Sequence, residues 1–151
     1  MIRLTALAIL LATSVSFAQT KPAAPAGQTK PAPAGAVAAA LKPYQGTWIL
    51  TTPDGQPLAQ SGDLTITITG DKYEQAVAGT VNERGSIKLD ATKKPTWIDL
   101  TITEGSDAGK LQVGVIEVTG TAMKGALGPA GDTTRPTSVT QGPIVFIAKK
   151  K

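Results

Sequence analysis

Side chains able to do chemistry are scarce in these 151 residues, and the missing types are as informative as those present. The chain has no histidine and no cysteine. It therefore lacks the usual general base near neutral pH, the serine–histidine triads and the commonest zinc ligand. Thiol nucleophiles and thiolate metal sites are excluded for the same reason. No glycine-rich loop of the phosphate-cradling or dinucleotide type occurs. Carboxylates remain. Asp90 and Asp99 flank Ala91-Thr92-Lys93-Lys94-Pro95-Thr96, a segment that as a hairpin brings them near each other. Two carboxylates in unequal environments can divide acid and base roles. The plainer reading puts both on a wet face, bonded to threonine, Lys93, Lys94 or backbone donors. The run from Glu104 to Gly109 has oxygen ligands for calcium but lacks the Asp/Asn series and closing Glu of a calcium loop. No catalytic residue, metal site or cofactor is assigned.

Three further residues stand out. Arg135, before Pro136, is suited either to clamp an anionic ligand or to pair with Asp90 or Asp99 and cap the fold. Trp48 and Trp97 each open the apolar face of an expected strand, so each is core or a ligand shelf, core being the expectation.

The elements that position these residues have a period of two. Leu64, Ile66 and Ile68 alternate with threonines; Ile87 and Leu89 alternate with Lys88 and Asp90; Ile98, Leu100 and Ile102 alternate with Asp99, Thr101 and Thr103. Such alternation is that of antiparallel strands with one face on a core and the other in water. Leu111, Val113 and Val115 continue it, after which Ile116 and Val118 change phase, predicting a bulge near Val115. Asp54-Gly55, Gly70-Asp71, Asn82-Glu83-Arg84-Gly85, Ala108-Gly109 and Thr119-Gly120 read as reversals. Eight strands follow, near 46–52, 63–69, 72–79, 84–90, 97–103, 111–118, 121–127 and 143–149, with one long irregular connection from Pro129 to Gly142. The expected fold is a single all-β, antiparallel, eight-stranded up-and-down barrel over residues 42–149; an open two-sheet sandwich is the alternative.

Outside the barrel the composition changes. Met1-Ile2-Arg3, the apolar run Leu4–Ala12 and Ser16-Phe17-Ala18 have the form of a cleavable signal peptide over residues 1–18. The apolar run is too short to span a bilayer, so no transmembrane segment is expected after cleavage. Residues 19–41 are rich in Pro and Ala and repeat Gln-Thr-Lys-Pro-Ala, as expected of a disordered linker, with Ala36–Leu41 able to form a turn of helix against the domain. Lys42 to Ala148 carries 9 basic and 11 acidic residues, a net charge of −2, so the basic excess lies at the ends of the chain. A nucleic-acid footprint on the fold itself is thereby absent. Lys150 and Lys151 are expected to be a solvated basic tail.

Gln45-Gly46-Thr47-Trp48, Leu89 to Leu100, Gly114 to Val118, Gly120 and Arg135-Pro136-Thr137 occur in one order and spacing. In this the chain resembles an exported domain family abundant in planctomycetes, whose members run from a Gly-Thr-Trp strand to an Arg-Pro loop. Gly46-Thr47-Trp48 also looks like the Gly-x-Trp signature of lipocalin-type barrels. The resemblance covers residues 45–149 and implies a lipocalin-like barrel with no established activity. The chain departs from that pattern at Ile116, Thr121, Ala126 and Thr137-Ser138-Val139.

Leu50, Ile66, Ile68, Leu89, Leu100, Ile102, Val113, Met123, Leu127 and Phe146 form the expected inward set. Three functions are consistent with this reading. One is an exported, periplasmic or secreted, non-catalytic binding or interaction module, monomeric, whose partner is a protein or an envelope component. Another is a carrier of a small apolar ligand. The last is a hydrolase using Asp90 and Asp99. Trp48, Asp90, Lys93, Lys94, Trp97, Asp99 and Arg135 are the candidate ligand or structural-motif residues.

Overall fold

A computed structural model describes residues 39–151. The expected signal peptide (1–18) and most of the expected linker (19–41) lie outside the described residues. Eight strands follow in order: β1 Gly46–Thr51, β2 Leu64–Thr69, β3 Lys72–Val77, β4 Thr80–Asp90, β5 Thr96–Glu104, β6 Leu111–Thr119, β7 Ala122–Leu127 and β8 Ile144–Lys150. Each pairs antiparallel with the next, and β8 returns to β1 through Leu50↔Ala148 and Trp48↔Lys150. The sheet is a closed up-and-down barrel. Closure pairs every strand on both sides, leaving no open edge to recruit another chain.

Strand alternation decides what fills the interior. Trp48, Leu50, Ile66, Ile68, Tyr73, Ile87, Leu89, Ile98, Leu100, Ile116, Met123, Phe146 and Ala148 belong to one buried cluster. Inward glycine makes room where large side chains meet. A Cβ on Gly125 would lie 2.7 Å from Phe146 Cζ and 2.8 Å from Ile116 Cγ2, so the strand between these two residues has to be bare there.

One end of the barrel is plugged by chain. Residues 39–41 are helical and continue into a 3-10 turn, Lys42–Tyr44. Leu41 and Tyr44 enter the core cluster, Leu41 only 1% exposed. Gln45 fastens this segment: its amide donates to Leu41 O at 3.1 Å and Gly70 O at 3.0 Å, and its oxygen accepts Gly70 N–H at 2.7 Å. The Trp48 indole N–H donates to Tyr44 O at 2.7 Å. Leu41, placed in the linker by composition, is thus part of the folded core. The turn of helix expected against the domain is present over residues 39–41, and Leu41 is its contact with the core. Lys150, expected in a solvated tail, is the last residue of β8, with its ammonium 5.5 Å from the centre of the Trp48 ring.

Three expectations about strand course and facing are corrected. Strand β6 has no bulge at Val115: its pairing with β5 and β7 runs without a shift. The phase change arises because both faces of β6 are covered. Ile116 points inward. Val115 packs outside with Ala126, Val139 and Val145, under the 129–142 connection. Val113, expected inside, also points outward, since it pairs with the outward Asp99. Asn82-Glu83-Arg84-Gly85 is not a reversal either. The chain turns at Ala78-Gly79, both at positive φ, and the Asn-Glu-Arg-Gly run lies within β4. Register shifts fall on both sides of it, leaving Asn82 unpaired against β3 and Thr103 unpaired against β5. Bulges and turns draw on the same residue types, which is why the run reads as a turn.

If the plug is integral, Leu41→Ala lowers stability by about 2–5 kcal/mol, as for other fully buried leucines. Urea unfolding followed by tryptophan fluorescence measures this. A change within about 0.5 kcal/mol, the scale of a surface substitution, would show that the segment only rests on the barrel.

Candidate functional site

The seven sequence-selected residues do not form one site. Trp48 is fully buried at the plugged end. Trp97, expected in the core, is on the outer wall and 41% exposed, because the inward face of β5 is taken by Thr96, Ile98, Leu100 and Ile102. Arg135 reaches from the long connection onto that wall. Its guanidinium donates to Ile98 O at 2.8 Å and Gly114 O at 2.6 Å, pairs with the Asp99 carboxylate, and stacks 4.6 Å from the Trp97 ring centre. The Lys93 ammonium lies 5.0 Å from the same ring. Lys94 is exposed in the β4–β5 hairpin. Arg135 therefore pairs with Asp99, as one of the two options held, but it staples the long connection to the side of the barrel instead of capping an end. Three of its five N–H donors are taken by the barrel wall and its charge is matched by Asp99, which leaves it poorly placed to clamp an anion.

Asp90 is engaged elsewhere. One of its carboxylate oxygens accepts the Thr92 N–H at 3.0 Å and the Thr92 hydroxyl at 2.5 Å. These bonds, the hydroxyl's first, hold its carboxyl below the usual carboxylate range. A general acid needs the opposite shift. Asp90 and Asp99 are thus tied separately to Thr92 and Arg135 and do not form the acid/base pair that a hydrolase requires.

The geometry that could receive a ligand lies at the end away from the plug. A vestibule of about 570 Å³ opens there between the strand ends. Its apolar wall comes from Leu50, Leu58, Leu64, Leu127, Ile144 and Phe146, and its polar groups from Thr52, Gln75, Glu83, Asp107 and Gln112. Below it the barrel is nearly full: a cavity of about 40 Å³ remains among the core side chains. Leu50, Gln75, Gln112, Leu127 and Phe146 border both spaces and form the floor of the vestibule. Pockets for small organic ligands occupy roughly 300–1,000 Å³, a range that admits the vestibule and excludes the inner cavity.

Glu83 is the charged group built most firmly into this end. It faces inward opposite Gln75. The hydroxyl of Tyr73, a residue 3% exposed, donates to Glu83 Oε1 at 2.8 Å. Tyr73 can lie there because Gly85 opposite it has no side chain; a Cβ would sit 2.6 Å from the ring and 2.2 Å from Thr101 O. Sequence reasoning missed Glu83 by assigning it to a turn. The available signal was the pair Glu83 and Gly85 at strand spacing, opposite a strand holding Tyr73.

No protein-family model matches the chain, and neither a curated protein nor a solved structure matches it significantly.

Burial raises the hydroxyl pKa of Tyr44, and burial followed by the Glu83 bond and charge raises that of Tyr73. In the unfolded chain both titrate near 10. The unfolded state therefore loses these protons first. The stability they contribute is complete below about pH 10 and is lost as pH rises beyond it. Alkaline titration of tyrosinate absorbance is expected to show both protons retained past that point. A reversible midpoint near 10 in the intact fold would contradict the placement of both rings.

Proposed function

We propose that this chain is an exported, non-catalytic binding protein that holds one small, largely apolar molecule in the open end of its barrel. The observation that carries the reading is the contrast between the two ends. One is sealed by Leu41, Tyr44 and Trp48, and the other keeps a vestibule of about 570 Å³ over an apolar floor. A barrel of eight strands is just wide enough for side chains or for one small ligand. Here the lower part is filled with side chains, and the space for a ligand is displaced toward the mouth. The lipocalin-like Gly46-Thr47-Trp48 start is consistent with this division, as it sits at the sealed end. Export rests on the sequence pattern of residues 1–18.

A second reading has its own observation. Trp97 is an exposed aromatic between Lys93 and Arg135, a surface suited to docking on a protein or envelope component.

Native mass spectrometry of the protein, isolated without denaturant from an exporting host, is expected to show extra mass that is lost on unfolding. The emptied protein is expected to bind the neutral fluorophore N-phenyl-1-naphthylamine at one per chain. Gln75→Trp, which fills the floor of the vestibule, should weaken that binding roughly tenfold or more at unchanged thermal stability. Absence of saturable binding would refute the vestibule reading. Retention of a partner that Trp97→Ala abolishes and Gln75→Trp spares would place the function on the outer wall.

A further inference from the structure

We propose that the vestibule selects ligands with a cationic head on an apolar body, such as long-chain alkylamines or arylalkylamines, and that Glu83 is the counter-charge. This deepens the vestibule reading and rests on it. The first observation is charge. Among the described residues the vestibule is lined by two carboxylates, Glu83 and Asp107, and by no lysine or arginine. Asp107 is matched, since Lys110 Nζ lies 2.7 Å from its carboxylate. Glu83 accepts one hydrogen bond, from neutral Tyr73, and no ion pair reaches it among the described residues. Its chain neighbour Arg84 points the other way, bonding Glu74 at 2.9 Å and Glu104 at 2.8 Å on the outer wall.

The second observation is construction. The bulges on either side of Glu83 and the bare Gly85 let Tyr73 reach the carboxylate and fix one of its oxygens. A merely polar wall would be served by glutamine, the residue used beside it at 75 and 112. The carboxylate adds an unmatched negative charge beside the apolar floor. In that partly water-excluded setting a charge-assisted bond to an ammonium is stronger than a neutral one, and a second carboxylate is repelled. An amine head at Glu83 leaves its apolar body free to lie against Leu50, Leu127 and Phe146.

The test compares three heads on one tail. Dodecylamine, dodecanol and dodecanoate, each below its solubility limit or micelle concentration, compete with N-phenyl-1-naphthylamine for wild-type protein and for Glu83→Gln. The amine is expected to compete roughly tenfold better than the alcohol, and the carboxylate worst, with the spread narrowing at high salt. In Glu83→Gln, which keeps an acceptor for Tyr73, the advantage of the amine is expected to vanish while the alcohol competes as before. Equal competition by all three heads in wild type, a comparison needing no variant, would overturn the charge selection and leave the vestibule reading intact. An amine preference that survives Glu83→Gln but is lost in Asp107→Asn would overturn the assignment to Glu83. Failure of the fluorophore and all three competitors to bind would overturn the vestibule reading itself, and this inference with it.

Discussion

Sealing one end of the barrel is the constraint on which the rest of this structure depends. A domain of this size without a disulfide is held by burial alone, and an open-ended tube would leave its own lining wet. Trp48 meets the constraint. It is the bulkiest fully buried side chain, it sits where β1 pairs with both β2 and β8, and its one polar atom is satisfied by the carbonyl of Tyr44. That bond joins the first strand to the segment that precedes it, so filling the tube and closing it are one event. The clamp of Gln45 on Gly70 then holds the plug to the β2–β3 turn.

With one end dry, the other is released from structural duty. Aliphatic side chains fill the barrel as far as the tier of Leu50, Gln75, Gln112, Leu127 and Phe146, where amides enter the lining. Above that tier the wall mixes leucine with carboxylate and glutamine, the composition expected where an apolar body and a polar head are held together. The outer wall has a separate task. Arg135 cross-links the long connection to β5 and β6 through two carbonyls and Asp99, and Val139 of the same connection covers the outer face of Val115. The most conspicuous charges in the sequence are thus occupied in holding the barrel's flank.

Much of the fold was legible because alternation survives wherever one face is wet. The alternation in β2, β4 and β5, with Thr65, Lys88 or Asp99 between aliphatics, puts Ile66 and Ile68, Ile87 and Leu89, and Ile98, Leu100 and Ile102 on the buried face, where the structure has them. Legibility fails where a strand is covered on both sides or irregular. Strand β6 lost its period under the long connection, and the first half of β4 looked like a turn because bulges use turn residues. Trp97 misled because its bulk suggests the core while its register puts it outside. The candidate site shared this fate: Gln75, Glu83 and Gln112 are polar residues on inward positions, and polarity read along a sequence points them to solvent. Only the register shows that they face one another's end of the tube.

The central claim is that ligands enter the open end and nowhere else. Amide chemical-shift mapping tests this most directly: a ¹⁵N-labelled sample is titrated with N-phenyl-1-naphthylamine. Saturable shifts confined to the mouth are expected, centred on Leu50, Gln75, Glu83, Gln112, Leu127 and Phe146, with Leu41, Trp48 and the Trp97–Arg135 flank unmoved. Shifts centred on Trp97 and Arg135, or on the plug around Leu41 and Tyr44, would contradict it.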